Sequence, residues 1–184
     1  MTVTTQRGFT LVELLATVAV SGLLLSVAVP SYRTVTQENR SMTVANDFLT
    51  ALAAARAEAI RRGGQVTVEP AGEAWERGWQ SYFDRNRNEN FDDDGDAAAC
   101  EADEDCLLLQ AAALPGGLVL RAPEGGEFAA VITFDALGAA SGDGAGGSRE
   151  LRLCGTRDDA RHGRTLSLSV SGRVQVGHGV AECP

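Results

Sequence analysis

The sequence predicts an α+β fold: one long N-terminal helix, membrane-spanning in its first half and kinked near Pro30, packed on a small antiparallel β-domain. Three observations predict it. An apolar run from Phe9 to Val29 carries a single charge, Glu13. An amphipathic, alanine-rich stretch continues from it to Arg62. Beyond Gly64 come short alternating segments separated by glycine-bearing turns.

The run Phe9 to Val29 holds 21 residues. A helix of that length reaches about 31 Å, roughly one hydrocarbon core. A helix from a soluble core would show a polar face, and none appears. Arg7 precedes the run and the first eight residues contain no acid, so the positive-inside rule puts the N-terminus in the cytoplasm and the bulk of the chain outside it. A cleavable secretory signal is the rival reading, with Ser26-Val27-Ala28 as a small-x-small site. The run exceeds the usual apolar region of about 7–15 residues, and Glu13 interrupts it. A carboxylate inside a span costs about 2.5–3.5 kcal/mol at mid-membrane and usually has a partner. No cation lies within the span. A cut between Gly8 and Phe9 would supply one, a new α-amine four residues before Glu13.

Residues 30–63 read as the amphipathic continuation. Ala45, Phe48, Leu49, Leu52, Arg56 and Ala59 recur at helical spacing, with Asn46, Asp47 and Glu58 between them. Gly63-Gly64 after Arg61-Arg62 is a helix stop with cations in the last turn. Pro30 cannot donate to the carbonyl four residues back, which predicts a kink.

Residues 64–184 read as a globular β-rich domain. Strands are predicted at QVTVE, GWQSYFD, GLVLR, FAAVITFD, ELRLC, TLSLSVSG and RVQVG, with Ser171-Gly172 turning between the last two. The net charge of -9 opposes a general affinity for nucleic acid. Every basic residue is arginine. The four cysteines, Cys100, Cys106, Cys154 and Cys183, allow three connectivities. Proximity favours Cys100–Cys106, and exclusion then leaves Cys154–Cys183. The Cys-x5-Cys spacing with no histidine nearby makes a poor zinc site.

Two constellations invite chemistry. The loop from Asp84 to Cys106 carries ten acids against Arg85 and Arg87. Asp84, Asn86, Asn88, Asn90 and Asp92 alternate, as hard oxygen ligands for calcium often do, which makes Asp84, Asn86, Asn88 and Asp92 the metal candidates, but Glu89 and Gly95 break the EF-hand pattern where glycine and glutamate belong. A solvated acidic loop stapled by Cys100–Cys106 is the competing reading. The second constellation is the C-terminal arginine set, Arg149, Arg152, Arg157, Arg161, Arg164 and Arg173. No nucleophile stands at a motif spacing from His162 or His178, and no phosphate loop or dinucleotide fingerprint is present, so no enzyme is expected.

The N-terminal stretch GFTLVELL resembles the prepilin-peptidase motif of type IV pilins and type II secretion pseudopilins. The resemblance implies a leader over residues 1–8, cleavage after Gly8, N-methylation of Phe9, a transmembrane helix over residues 9–29, and pairing of Glu13 with the terminal amine of a neighbouring subunit. Pro30 stands where type IV pilins commonly carry a helix-kinking proline. With ARAEAIRRGGQVTV, the GW…D.N.N…D loop, VITFDALG and the terminal SGRVQV…C, the chain resembles the FimT/FimU/GspH minor pilin family and its pilin-like fold. A Cys154–Cys183 bond resembles the C-terminal disulfide of several pilins. The expected role is a structural one, in a tip or priming complex of a type IV pilus, with other minor and major pilins and the prepilin peptidase as partners. The expected location is the bacterial inner membrane, the C-terminal domain periplasmic. The alternatives are a minor pseudopilin of a type II secretion system and a DNA-binding minor pilin. Some FimT-type relatives bind DNA through Gly-Arg-x-Arg. This chain has Gly172-Arg173-Val174-Gln175, which leaves Arg173, with Arg164 as a neighbour, as the DNA-binding candidates and disfavours DNA as a partner.

Overall fold

The computed structural model describes residues 10–92, 104–144, 146–155 and 163–183. Its first element, α1 (Leu11–Arg62), is a single helix of 52 residues, about 78 Å long at 1.5 Å per residue. The helix runs without interruption through Pro30. It ends where Gly63 donates to Ile60 O (3.3 Å) and Gly64 to Ala59 O (3.2 Å), the paired bonds of a Schellman stop. The chain divides into two compact units, Met1–Glu38 and Asn39–Pro184. In the second, α1 buries Ser41, Val44, Ala45, Phe48, Ala51, Leu52, Ala55 and Ala59. These fall on one stripe at helical spacing, and small alanines let the sheets approach closely.

Nine strands follow among the described residues: β1 (Gln65–Pro70), β2 (Trp79–Asp84), β3 (Cys106–Gln110), β4 (Val119–Arg121), β5 (Ile132–Phe134), β6 (Ala140–Gly142), β7 (Glu150–Cys154), β8 (Arg164–Leu168) and β9 (Val174–His178). They form a five-stranded sheet, β3-β2-β1-β5-β6, and a four-stranded sheet, β4-β7-β8-β9, with antiparallel pairing throughout. The strands β3 and β6 are absent from the sequence reading. β3 is a short apolar run at the end of the acidic loop. β6 is Ala-Ser-Gly, which has no intrinsic preference for a strand and is held by its pairing with β5.

The core lies between the alanine stripe of α1 and the inner faces of both sheets. Phe48 stands at its centre, edge-on to Trp75 (5.4 Å between centroids) and Trp79 (4.9 Å). Val66, Val68, Ile132 and Phe134 come from one sheet, and Leu120, Leu151, Leu153, Leu166 and Leu168 from the other. Burial alternates along β8, with Arg164, Leu166 and Leu168 inside and Thr165 and Ser167 half-buried, the period of two that a one-sided sheet requires.

The opposite face of the five-stranded sheet is polar. Thr67 is paired with Tyr82 on one side and Thr133 on the other. Tyr82 and Gln80 both donate to the Glu69 carboxylate, at 3.2 and 2.7 Å, and the Thr133 and Ser141 hydroxyls bond at 2.6 Å. Phe91, in the described part of the acidic loop, packs on Tyr82 at 5.1 Å. Burial, followed by the nearby carboxylates Glu69 and Asp84, pushes the Tyr82 phenol far above its ordinary value.

Candidate functional site

The described chain opens on a capping box. Thr10 precedes the helix; Glu13 N donates to its hydroxyl (3.3 Å), while the Glu13 carboxylate accepts from Thr10 N (2.9 Å) and Thr10 Oγ1 (3.0 Å). Reciprocal bonds of this kind satisfy donors that a helix start leaves orphaned. Thr-x-x-Glu is legible in the sequence, and the reading of Glu13 as a waiting counter-ion passed over it. Glu13 therefore has a partner in the isolated chain. Gly8 and Phe9 lie outside the described residues.

Behind this cap the helix is bare. Its most apolar 18-residue window has a mean hydropathy of 2.2 and is 0% buried. Leucines and valines from Leu11 to Val29 are exposed around the whole circumference. By length and composition the segment can cross a membrane.

The acidic loop is organised from within. Asp84 is buried, and its carboxylate accepts from Arg87 N (2.5 Å), Glu89 N (3.0 Å), Gln65 Nε2 (3.1 Å) and Thr67 Oγ1 (3.4 Å). Those bonds hold Arg87 and Glu89 in left-handed backbone, at φ 61° and 60°. Asp105, also buried, accepts from Arg85 N (2.9 Å) and Asp92 N (3.0 Å), closing the base of the loop. Asp92 accepts from Asn86 (2.9 Å) and Asn88 (2.6 Å) side chains, and these amides hold its carboxyl below the usual range. The oxygens of Asn86 and Asn88 take the backbone N–H groups two residues on. In the candidate calcium set Asp84, Asn86, Asn88 and Asp92, oxygens of all four side chains accept from N–H donors. Among the described residues no three metal-ligating acids, histidines or cysteines come together.

The arginine set is dispersed. Arg149 is a structural bolt: it pairs with Glu127, donates to Leu168 O (3.0 Å) and Ala140 O (2.7 Å), and lies 5.0 Å from the Phe128 ring centre. Arg152 pairs with Glu150 at 2.8 Å. Arg164 is only 6% exposed. It sits on the core face of β8 in phase with Leu166 and Leu168. Arg173 is exposed; its Nε and Nη2 reach the Gln175 amide oxygen at 3.3 Å once that amide is turned to satisfy both. Arg157 and Arg161 lie outside the described residues.

Cys154 at the end of β7 is bonded to Cys183, with 5.9 Å between their Cα atoms. Cys106 is disulfide-bonded too, and the expected Cys100–Cys106 pair falls partly outside the described residues through Cys100. Two of the surface grooves are lined by described residues. One, of about 460 Å³, runs between Val44, Asp47 and Ala51 of α1 and the stretch Leu109–Pro115. The other gathers Glu69, Glu73 and Glu89. Neither brings together a nucleophile and a base.

A capped, bare apolar helix that continues into a β-rich domain is the architecture of membrane-anchored pilin-class subunits. The family model described as Type II transport protein GspH matches residues 44–172, and that of the Prokaryotic N-terminal methylation motif matches residues 4–29. The chain belongs to the GspH family. Its fold is similar to the Pseudomonas aeruginosa type IV minor pilin FimU, at 18% identity and a TM-score of 0.57 over 81% of this chain and 98% of that one. A second crystal form of FimU gives 17% and 0.53 over 78% and 99%. The minor pseudopilin EPSH of the Vibrio cholerae type II secretion system matches at 12% and 0.47, over 79% and 99%. No curated protein matches in sequence. The fold class expected from sequence, one long helix on antiparallel sheets, is the one observed.

Proposed function

We propose that the chain is a minor pilin, made as a membrane-anchored precursor, cut after Gly8 by a prepilin peptidase, N-methylated at Phe9, and incorporated into the tip or priming complex of a type IV pilus. One observation carries the reading: the methylation motif over residues 4–29 leads straight into a helix whose apolar window is 0% buried. Such a surface needs lipid or other subunits around it. The work is assembly rather than catalysis. Pro30 favours a pilus. The same physics would serve a pseudopilus of a type II secretion system, the reading that the family model's description favours. Burial of Arg164 weighs against DNA capture.

Mass spectrometry of the N-terminus tests the proposal on protein recovered from membranes and from sheared surface fibres. The expected mature chain starts at N-methylated Phe9. A start after Ala28, or an intact precursor in the fibre fraction, overturns it.

A further inference from the structure

Among the described residues of the second unit, the large hydrophobic side chains that stand exposed are Met42, Ile60, Leu109, Leu137 and Val170. Three of them come from elements that meet at one corner. Ile60 lies near the end of α1 and is 48% exposed; Leu137 crowns the β5–β6 turn at 85%; Val170 crowns the β8–β9 turn at 65%. A Cβ placed on Gly138 would lie 2.8 Å from Ile60 Cδ1, and one on Gly172 would collide with Gly138 O. Both glycines have φ near 76°, at 77° and 75°, so neither space nor backbone admits another residue without strain. Ala140 N donates to Val170 O at 2.8 Å, tying the two turns together, and Arg56 Nε donates to Gly138 O at 2.9 Å, tying them to the helix.

Each turn is built rigidly. Asp135 Oδ1 accepts from Leu137 N (2.9 Å) and Ala139 N (2.8 Å). Ser169 Oγ accepts from Arg173 N at 3.0 Å, and Gly172 N donates to Ser169 O at 2.9 Å. Rigid turns that hold bare aliphatic tips side by side are preorganised for contact, which lowers the entropy lost on binding. Scattered exposed aliphatics need no explanation; a cluster held on three braced elements does.

Charge identifies the occupant. Arg56 and the exposed Arg173 flank the corner, and among the described residues neither has a carboxylate partner; against these two cations stands one exposed carboxylate, Asp135 of the β5–β6 turn, so the corner is net cationic. In a chain of net charge -9 this is a cationic edge on an apolar patch. An isologous contact with a second copy would set the two corners' arginines against each other. Duplex DNA gains affinity from phosphates neutralised, and here three aliphatic side chains accompany only two cations.

We infer that the Ile60–Leu137–Val170 corner is the docking surface for a different subunit of the assembled fibre, one that presents an apolar patch edged by carboxylates. This deepens the subunit reading above and rests on it. The test uses the full-length chain in membranes of assembling cells, with Leu137 replaced by photoreactive p-benzoylphenylalanine. A control carries the same group at exposed Asn46, about 21 Å back along the helix from Ile60. The expected result is a covalent adduct at position 137 with another polypeptide, at least about tenfold above the control. Its cross-linked peptide should contain apolar residues beside Asp or Glu. Val170→Ser and Arg173→Glu should each lower the yield about tenfold, hot-spot-sized effects, while leaving the Cys154–Cys183 bond formed. Yield equal to the control, indifference to both substitutions, or an adduct with lipid, nucleic acid or a second copy overturns the inference. Mature chain present in fibres without the adduct sinks this inference alone. Uncut chain absent from fibres sinks the subunit reading, and the membrane adduct still decides the corner.

Discussion

The capping box at Thr10 and Glu13 gives Glu13 two competing jobs, and they can be separated. As a cap, its carboxylate satisfies the Thr10 N–H and hydroxyl, worth about 1 kcal/mol, or roughly fivefold in an equilibrium. As the counter-ion of an incoming subunit's terminal amine, it would form a buried charge pair, and truncating one partner of such a pair costs about 2–5 kcal/mol. Three kcal/mol corresponds to roughly a hundredfold. Glutamine retains the reciprocal bonds of a capping box and has no charge. Glu13→Gln therefore removes the second job and spares the first, Thr10→Ala does the reverse, and Glu13→Ala removes both. If the charge registers the subunit, Glu13→Gln and Glu13→Ala should both lower incorporation about a hundredfold, and Thr10→Ala only about fivefold. The readout is mature chain in sheared fibres relative to mature chain in membranes, by immunoblot, with cleavage checked in the same samples. Wild-type incorporation of Glu13→Gln, together with failure of Thr10→Ala, would refute the reasoning and make Glu13 a helix cap.

Replacing Cys154 and Cys183 together by serine removes a link between residues 29 apart, and should cost about 3–4 kcal/mol in a urea titration under oxidising conditions; an unchanged midpoint would contradict that. The Arg61 hydrogen bond, aided by Arg62, holds the Glu58 carboxyl down at about 2 from its ordinary 4.5. Its stabilising contribution is thus complete above pH 4.5 and lost as pH falls towards 2, and Glu58→Gln should flatten the acid limb of stability in that window. The full-length chain in detergent should bind duplex DNA only weakly near physiological salt, because the net charge is -9 and Gln175 takes the place of a second arginine. A titration showing tight binding abolished by Arg173→Ala would reverse the ranking of assembly over DNA capture.

Local pattern carried far in this chain. The stripe Ala45, Phe48, Leu52 and Ala59 announced the buried face of α1, and Gly63-Gly64 its end, because spacing and stop chemistry are local. Strands β1, β7, β8 and β9 alternate strongly enough to be seen. The short strands β3 and β6 were hidden for opposite reasons: β3 is embedded in an acidic context, and β6 owes its conformation to a neighbour. The site was read less well. The sequence offers Arg164 as a DNA-binding neighbour of Arg173, although the alternation Arg-Thr-Leu-Ser-Leu already puts it in phase with two core leucines. Asp84 and Asp105 were read as members of an acidic set. Asp84 accepts locally from Arg87 N and Glu89 N, but its bonds from Gln65 and Thr67, and those of Asp105 from Arg85 N and Asp92 N, depend on which strands adjoin, and no single-sequence spacing encodes that.

The bare helix also constrains how such a subunit travels. From Leu11 to Val29, eleven leucines and valines stand exposed. Releasing them into water forfeits on the order of 20 kcal/mol, at about 2 kcal/mol for each side chain. On the proposed subunit role, a dissolved monomer is strongly disfavoured, and exchange between bilayer and fibre has to proceed by direct handover at their junction. Supply is governed by lateral diffusion and by the number of copies per area of membrane, not by concentration in the surrounding fluid. On the same role, a dismantled fibre would have to return its subunits to that two-dimensional reservoir.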